Sequence, residues 1–129
     1  MRALTLVAMV LAGAASAQEA DRGRDVYVSH CATCHGPTGH GNGPMADVLS
    51  VAPTDLTMLA RLNGGVFPTD RVVRRVDGAS EVLAHGGPMP LWGMILDGPS
   101  AVILAPDGAE IVAPEAIIDV TAWIEEVQR

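Results

Sequence analysis

The stretch Cys31-Ala32-Thr33-Cys34-His35 carries the most specific chemical signal in this chain of 129 residues. It reads C-x-x-C-H, the pattern of covalent haem attachment. Two thiols separated by two residues on a helical turn can form thioethers with the two vinyl groups of one porphyrin. The adjacent histidine then lies under the ring, where its Nε2 can bind iron. The sequence therefore predicts one haem c, bound covalently through Cys31 and Cys34, with His35 as an iron ligand.

Three other interpretations of these two cysteines compete with haem attachment. A thioredoxin-like redox pair would follow a βαβ pattern, which the sequence before Cys31 does not show. A zinc site would need a second pair of cysteines, and Cys31 and Cys34 are the only cysteines of the sequence. A disulfide between them would close a very small loop.

Residues 1–17 have the pattern of an export signal. Arg2 precedes an apolar run over residues 3–12, and Ala15-Ser16-Ala17 forms an A-x-A cleavage site. An uncleaved membrane anchor is the alternative, but about ten apolar residues fall well short of the roughly 20 that span a bilayer. We expect cleavage after Ala17, a domain over residues 18–129 without a membrane span, and a periplasmic location, because this type of haem is attached outside the cytoplasm.

The charge and composition exclude several classes of partner and leave the core short of aromatic residues. Fifteen acidic residues oppose eight basic ones, all arginine, for a net charge of −7. Nucleic acids and anionic membranes repel such a protein. Only four aromatic residues are present, and a small core so poor in them is expected to need a cofactor in its middle.

Five segments outside the C-x-x-C-H motif resemble class I cytochrome c, and most closely the bacterial haem domains related to cytochrome oxidase subunits. They are 23–27 before the first cysteine, the glycine-rich loop 36–49, the run 55–78, the Met-Pro-x-Trp loop 89–93 and the helical stretch 116–128. The resemblance covers most of the chain after residue 17. It implies an all-α fold of four to five short helices around one covalently bound haem, with long loops.

Local patterns predict the secondary structure along this fold. A helix over 21–33 would be capped by Asp21, and one over 70–76 by Thr69 or Asp70 and ended by Asp77-Gly78. The remaining predicted elements are a helical turn within 45–50, a short helix over 55–62 that Asn63-Gly64-Gly65 ends, a hairpin near 101–112 around Pro106-Asp107-Gly108, and a last helix over 114–127. Gly23 inside the first helix indicates close approach of another helix, and the apolar face of the last helix is its natural partner.

A six-coordinate haem needs a second axial ligand, and the position of each candidate decides between them. The candidates are Met45, Met58, Met89, Met94, His30, His40 and His85. Met89 lies between Pro88 and Pro90, which hold its backbone rigid, and the resemblance implies Met89 as the ligand. Met94 and His85 remain as neighbouring alternatives, whereas core packing explains Met58, and solvation or local hydrogen bonding explains His30 and His40.

Further cofactor contacts follow partly from the resemblance. It implies a proline carbonyl as the acceptor for His35 Nδ1–H, and Pro44 is the matching residue. Haem propionates need hydrogen-bond donors. The candidates are Trp92 Nε1, Arg61, Arg71, Arg74 and Arg75, although the arginines can equally form a solvated helix face.

Two axial ligands leave no open position for a substrate, and the sequence offers no nucleophile or acid–base pair. We therefore expect outer-sphere electron transfer to redox partner proteins such as an oxidase, reductase or dehydrogenase, rather than enzymatic catalysis. The alternative is a haem-bearing subunit of a larger dehydrogenase or sulfur-oxidising complex. A third possibility, a five-coordinate haem that senses gas or reduces peroxide, requires Met89 not to bind.

Overall fold

The fold is built from four α-helices, four short 3-10 turns and one β-hairpin within residues 19–78 and 89–129, which the computed structural model describes. The helices are α1 (19–30), α2 (Ala32–His35), α3 (Thr69–Asp77) and α4 (Glu115–Glu126), and the strands are β1 (Ser100–Leu104) and β2 (Glu110–Pro114). The 3-10 turns are Ala46–Val48, Leu56–Met58, Arg61–Asn63 and Trp92–Met94. The predicted signal segment 1–17 and His85 lie outside the described residues. The prediction of a mostly helical domain with a small hairpin is confirmed, whereas 55–62 forms two 3-10 turns instead of one α-helix.

The crossing of α1 and α4 places the C-x-x-C-H motif on the core. A Cβ atom at Gly23 would overlap the carbonyl group of Asp119, so only glycine lets the two backbones approach this closely. Arg22 donates through Nε and Nη2 to the two carboxylate oxygens of the buried Asp119, at 2.9 Å each. The prediction that another helix packs on Gly23 is confirmed, and that helix is α4.

Helix α4 forms the apolar centre of the fold. Ile117, Val120, Trp123 and Ile124 recur at helical spacing and are all buried. The ring of Trp123 lies 4.1 Å, centroid to centroid, from the ring of Tyr27 on α1. Pro114 precedes the first turn of α4, where its fixed φ and missing N–H cost nothing.

The predictions of the helix ends are confirmed at the C-termini and wrong at the N-termini. Gly78 after α3 and Gly64 after Arg61–Asn63 both adopt left-handed conformations, as predicted. The predicted N-caps are wrong. Helix α1 is already helical at residue 19, so Asp21 lies inside it, and α3 begins at Thr69 after Pro68, without a side-chain cap.

The hairpin is confirmed and slightly longer than predicted. Its strands are antiparallel, with Val102 opposite Val112 and Ile103 opposite Ile111. Ile111 is buried toward the core, whereas Val102 and Val112 on the other face are exposed. Gly108 takes a positive φ in the turn, and Asp107 Oδ1 accepts a hydrogen bond from the Ala109 amide. Among residues 19–78 and 89–129, no helix has the length and apolar character needed to cross a membrane.

Candidate functional site

The C-x-x-C-H motif forms one helical turn at the end of α1. Cys31 N donates to Tyr27 O at 2.8 Å, so the helical path continues through Cys31 into α2. His35 N donates in turn to Cys31 O at 2.9 Å. Cys31, Cys34 and His35 therefore lie on a single helical turn, as the sequence predicts.

The glycine-rich loop after α2 satisfies the carbonyl groups that the end of this short helix leaves open. Gly41 N, Gly43 N and Met45 N donate to the carbonyls of His35, Cys34 and Thr33 respectively, at 2.8–3.0 Å. A Cβ atom at Gly43 would overlap the carbonyls of Thr33 and Cys34. The loop must lack a side chain at Gly43 to fold back against the motif, which gives a physical reason for that glycine.

A buried tyrosine fixes the far end of the motif. Tyr27 is fully buried, and its hydroxyl donates to Gly36 O at 2.6 Å. Burial raises the pKa of this phenol, with a further contribution from Cys31, so it stays a neutral donor throughout the physiological range. The hydrogen bond ties the residue after His35 to the Tyr27–Trp123 contact in the core.

Both cysteines are free thiols, which is the state that addition to vinyl groups requires. Cys31 is buried, and Cys34 is partly exposed. Burial, followed by the proximity of Cys34, raises the pKa of the Cys31 thiol to about 11. Cys31 is therefore uncharged at neutral pH and can lie against an apolar ring at no electrostatic cost.

The imidazole of His35 is held through Nδ1. This nitrogen lies 3.0 Å from the carbonyl oxygen of Thr54. A carbonyl oxygen can only accept a hydrogen bond, so Nδ1 carries a proton, and the neutral form of the imidazole then has its lone pair on Nε2, where it can bind a metal. The resemblance to class I cytochrome c implied the Pro44 carbonyl in this role. In the structure the acceptor is Thr54, ten residues further along the chain.

The segment that carries Thr54 is braced by its own side chains. Asp55 Oδ1 accepts hydrogen bonds from Thr57 Oγ1 at 2.6 Å and from Thr57 N at 3.0 Å, which caps the Leu56–Met58 turn. Leu56 N donates to Gly39 O at 2.7 Å and joins this segment to the glycine-rich loop. The hydrogen bonds from Thr57, followed by contact with His40, hold the pKa of Asp55 below its ordinary value.

This lowered pKa predicts an acid-dependent loss of stability. The Asp55 carboxylate stabilises the fold at pH values above 3.8, its ordinary pKa, and the contribution is lost as pH falls through the lower value of the folded state. We expect the unfolding free energy of the wild type to fall more steeply than that of Asp55→Asn over this acid range. Denaturant titrations at a series of pH values measure both slopes. Asp47→Asn, which removes an exposed acid from the Ala46–Val48 turn, is the control. Equal slopes for the wild type and Asp55→Asn would contradict the prediction.

The predicted second ligand lies in the loop that follows residue 88. Met89 is partly buried and packs against the core cluster. Trp92, three residues later, is also partly buried, and its ring meets the ring of His30 edge-on at 5.3 Å. The His30–Trp92 contact brings this loop against the end of α1, directly before Cys31. Met94 is 82% exposed and turned away from the core.

The other candidates of the sequence analysis occupy varied positions. Met58 and His40 are partly buried, Met45 is exposed, and Pro44 is exposed in the glycine-rich loop. Arg61, Arg71, Arg74 and Arg75 are all exposed. Arg74 forms an ion pair with Asp70 one turn earlier on α3, at 2.8 Å. Arg74 therefore fits the alternative interpretation, in which these arginines form a solvated helix face.

The residues present fit a covalently attached haem. The motif offers two free thiols and an imidazole with its Nε2 lone pair available, on one turn. Large apolar side chains are exposed on the segment after the motif, which is a surface suited to covering an apolar ring. They are Met45 at 43%, Val48 at 70%, Val51 at 56%, Leu62 at 75% and Val66 at 50% exposure.

Comparison with known families gives one match. Residues 18–97 match the family model described as cytochrome c oxidase, cbb3-type, subunit III, so the match covers more than half of the chain and includes the C-x-x-C-H motif. The hairpin and α4 lie beyond the matched residues. No curated protein and no solved structure gives a significant match.

Sequence reasoning missed the residues that hold His35 from outside its own segment. Thr54 lies 19 positions from His35, and the partners of Thr57 and Leu56 lie about 70 positions away. The Pro53-Thr54-Asp55 run does carry a local signal, because an aspartate before a helical turn is a typical cap. That signal predicts the turn, but it does not predict which carbonyl faces His35.

Proposed function

Because the chain belongs to the family of the cbb3-type cytochrome c oxidase subunit III, a family of haem-bearing electron-transfer domains, we propose that it is a class I, mono-haem cytochrome c. Its iron would be bound by one histidine and one methionine. The protein would transfer electrons in a periplasmic respiratory or oxidative pathway. The observation that carries the proposal is the turn from Cys31 to His35. It combines two free thiols with a histidine whose Nδ1–H is already engaged by Thr54 O. A redox disulfide would use the thiols and would not need the oriented imidazole.

Each residue of the site has a separate task in this proposal. Cys31 and Cys34 would hold the haem covalently, and His35 Nε2 would bind its iron. Met89 would supply a soft thioether ligand, which favours Fe(II) and raises the reduction potential. The bound haem would supply one-electron redox chemistry. Trp92 Nε1 is the proposed donor to a propionate, and Pro44 belongs to the loop that shields the His35 side.

The site also limits what the protein can do. With His35 and Met89 both bound, no coordination position is open to a substrate, so the protein does not act as an enzyme. Apolar side chains such as Leu56 and Leu59, which pack on the core, keep water from the ring. A low dielectric disfavours the extra charge of Fe(III) and adds to the effect of methionine on the potential. Electrons would leave through the ring edge near Cys31 and Cys34.

Charge constrains the choice of redox partner. The chain has no lysine, so it lacks the ring of lysines with which many class I cytochromes dock. Three of the arginines, Arg71, Arg74 and Arg75, lie together on α3, and the whole chain carries a net charge of −7. We propose docking through an apolar contact or onto a basic partner protein. Docking would take place in the periplasm, to which the protein would be exported with cleavage of residues 1–17.

A redox titration followed by absorbance tests the proposed function. A single reversible one-electron transition is expected, and the reduced protein should not bind CO rapidly, because Met89 occupies the sixth position. Rapid CO binding at neutral pH would favour the five-coordinate sensor or peroxidase. A two-electron transition abolished by thiol alkylation would favour a dithiol redox protein.

The second candidate function is that of a haem-bearing subunit in a larger complex, such as an oxidase, a dehydrogenase or a sulfur-oxidising system. The family match favours this second function, because the matched family is described as an oxidase subunit. The exposed outer face of the hairpin, with Val102 and Val112, is a surface that such a complex could cover. For a free electron carrier, size-exclusion chromatography of native extract should place the haem absorbance at the mass of one chain. Elution of the same absorbance with a large complex would support the subunit.

A further inference from the structure

The two residues that follow the cap of α4, Gln128 and Arg129, are bonded to the segment that supplies the His35 acceptor; we call them the 128–129 pair. Gln128 Nε2 donates to Leu56 O at 2.7 Å, and its Oε1 accepts from Ala60 N at 2.8 Å. The same Nε2 also donates to Ile124 O, one turn back on α4, at 2.7 Å. The amide of Gln128 therefore joins the central helix to both ends of the 56–60 segment.

Arg129 makes the second connection, to Thr57. Its backbone N–H donates to Thr57 O at 2.9 Å, and its guanidinium donates to Thr57 Oγ1 from Nε at 3.1 Å and from Nη2 at 3.0 Å. Thr57 is 2% exposed, so these hydrogen bonds connect Arg129 to a buried residue. Nη2 also lies 3.0 Å from His40 Nδ1, the atom that lies 3.5 Å from Asp55 Oδ1.

Position in the chain links these bonds to the axial histidine. Thr54 O, the acceptor of His35 Nδ1–H, is three residues before Thr57 and two before Leu56. The segment from 51 to 55 forms no regular helix or strand, so its position depends on what holds the turn that follows. Gln128 and Arg129 hold that turn against α4, and Leu56 N holds it against Gly39.

We infer that Gln128 and Arg129 are positioning residues for the axial histidine, acting through the 54–57 segment on the His35 Nδ1–H···O=C bond. The inference rests on the proposed function, in which His35 binds the haem iron. A strong hydrogen bond from Nδ1–H makes the imidazole more basic, and a more basic ligand stabilises Fe(III). Loosening the 128–129 pair should therefore raise the reduction potential of the holoprotein.

The primary test is Gln128→Leu, which removes the three hydrogen bonds of the amide without changing charge. The expected result is a higher reduction potential than in the wild type. A second expected result is exchange of the His35 Nδ1–H with solvent at least fivefold faster, measured by NMR of the reduced holoprotein. Fivefold corresponds to about 1 kcal/mol, the usual net contribution of one hydrogen bond. A merely structural role for Gln128 would lower the unfolding free energy and leave both of these quantities unchanged.

Arg129→Ala gives an independent test because two effects on the potential have opposite signs. Loss of a positive charge by itself stabilises Fe(III) and lowers the potential, whereas release of Thr54 raises it. Arg24→Ala, at an exposed position on α1, removes the same charge away from Thr57 and is the matched control. Relative to Arg24→Ala, Arg129→Ala should have the higher potential. Arg129→Lys, which keeps the charge and loses the paired guanidinium bonds to Thr57 Oγ1, should have a higher potential than the wild type.

Wild-type values of both the potential and the Nδ1–H exchange rate in Gln128→Leu would overturn the inference. If Gln128→Leu does not fold, Arg129→Lys decides instead, because it keeps the charge and the backbone bond to Thr57; a wild-type potential in Arg129→Lys would then overturn the inference. These results are distinct from a failure of the proposed function, in which the wild-type protein itself would bind no haem. A wild type that holds haem and passes single electrons, with unchanged variants, contradicts only the role of the 128–129 pair.

Discussion

Replacement of Met89 by alanine is expected to lower the reduction potential by on the order of 0.1–0.2 V, within the roughly 0.8 V range that axial ligands span. The physical reason is that the soft thioether stabilises Fe(II), and water or another hard ligand in its place does not. The weak near-infrared charge-transfer band of a methionine-bound ferric haem should disappear in the same variant. Rapid CO binding to the reduced protein should appear, because the sixth position becomes accessible.

Met94→Ala is the matched control for this prediction. Met94 lies five residues from Met89 in the same loop, but it is 82% exposed. Its replacement should leave the potential, the near-infrared band and CO binding unchanged. An unaltered spectrum and potential in Met89→Ala would show that another residue is the ligand, and a loss of the band in Met94→Ala would identify that residue as Met94.

Replacement of Gly23 by alanine is expected to destabilise the holoprotein by about 2 kcal/mol or more. Two effects compete, since alanine favours a helix interior by up to about 1 kcal/mol over glycine. The added Cβ, however, would overlap the carbonyl of Asp119, and overpacking of this kind costs about 1–3 kcal/mol or more. The overlap involves backbone on both helices, so no side-chain rotation can relieve it, and destabilisation should prevail.

The magnitude is measured by guanidinium denaturation followed by haem absorbance. Gly98→Ala is the matched control, because a Cβ atom there would meet nothing within 4 Å. It should change the unfolding free energy by less than about 0.5 kcal/mol. A Gly23→Ala protein as stable as the wild type would mean that α1 and α4 do not cross at Gly23.

The parts of this fold that could be predicted from sequence are those with local causes. Apolar residues at helical spacing identified α4, and the Pro-Asp-Gly turn between β-branched runs identified the hairpin. Gly23 inside a helix correctly indicated a close helix contact rather than a frayed helix end, because close packing offsets the cost of glycine in that position. The C-x-x-C-H turn also has a local cause, because all the residues of its chemistry lie within five positions.

The features that could not be predicted have distant causes. The acceptor for His35 is Thr54 rather than Pro44, and which of two carbonyls faces an imidazole depends on how the loop folds back in space. The contacts of Gln128 and Arg129 with Thr57 and its neighbours span about 70 residues and leave no local pattern. The wrong N-caps show the same limit. Asp21 and Thr69 are typical caps by residue type, but α1 is already helical at residue 19, and α3 starts directly after Pro68.

Covalent haem attachment is tested by the intact mass of the protein purified from a host that matures c-type cytochromes, together with its pyridine haemochrome spectrum. We expect a polypeptide heavier by one haem and a haemochrome typical of two thioether bonds, both lost in a Cys31→Ala, Cys34→Ala double variant. A colourless protein with the mass of its amino acids alone, or a haem that acid and organic solvent extract from the wild type, would contradict it.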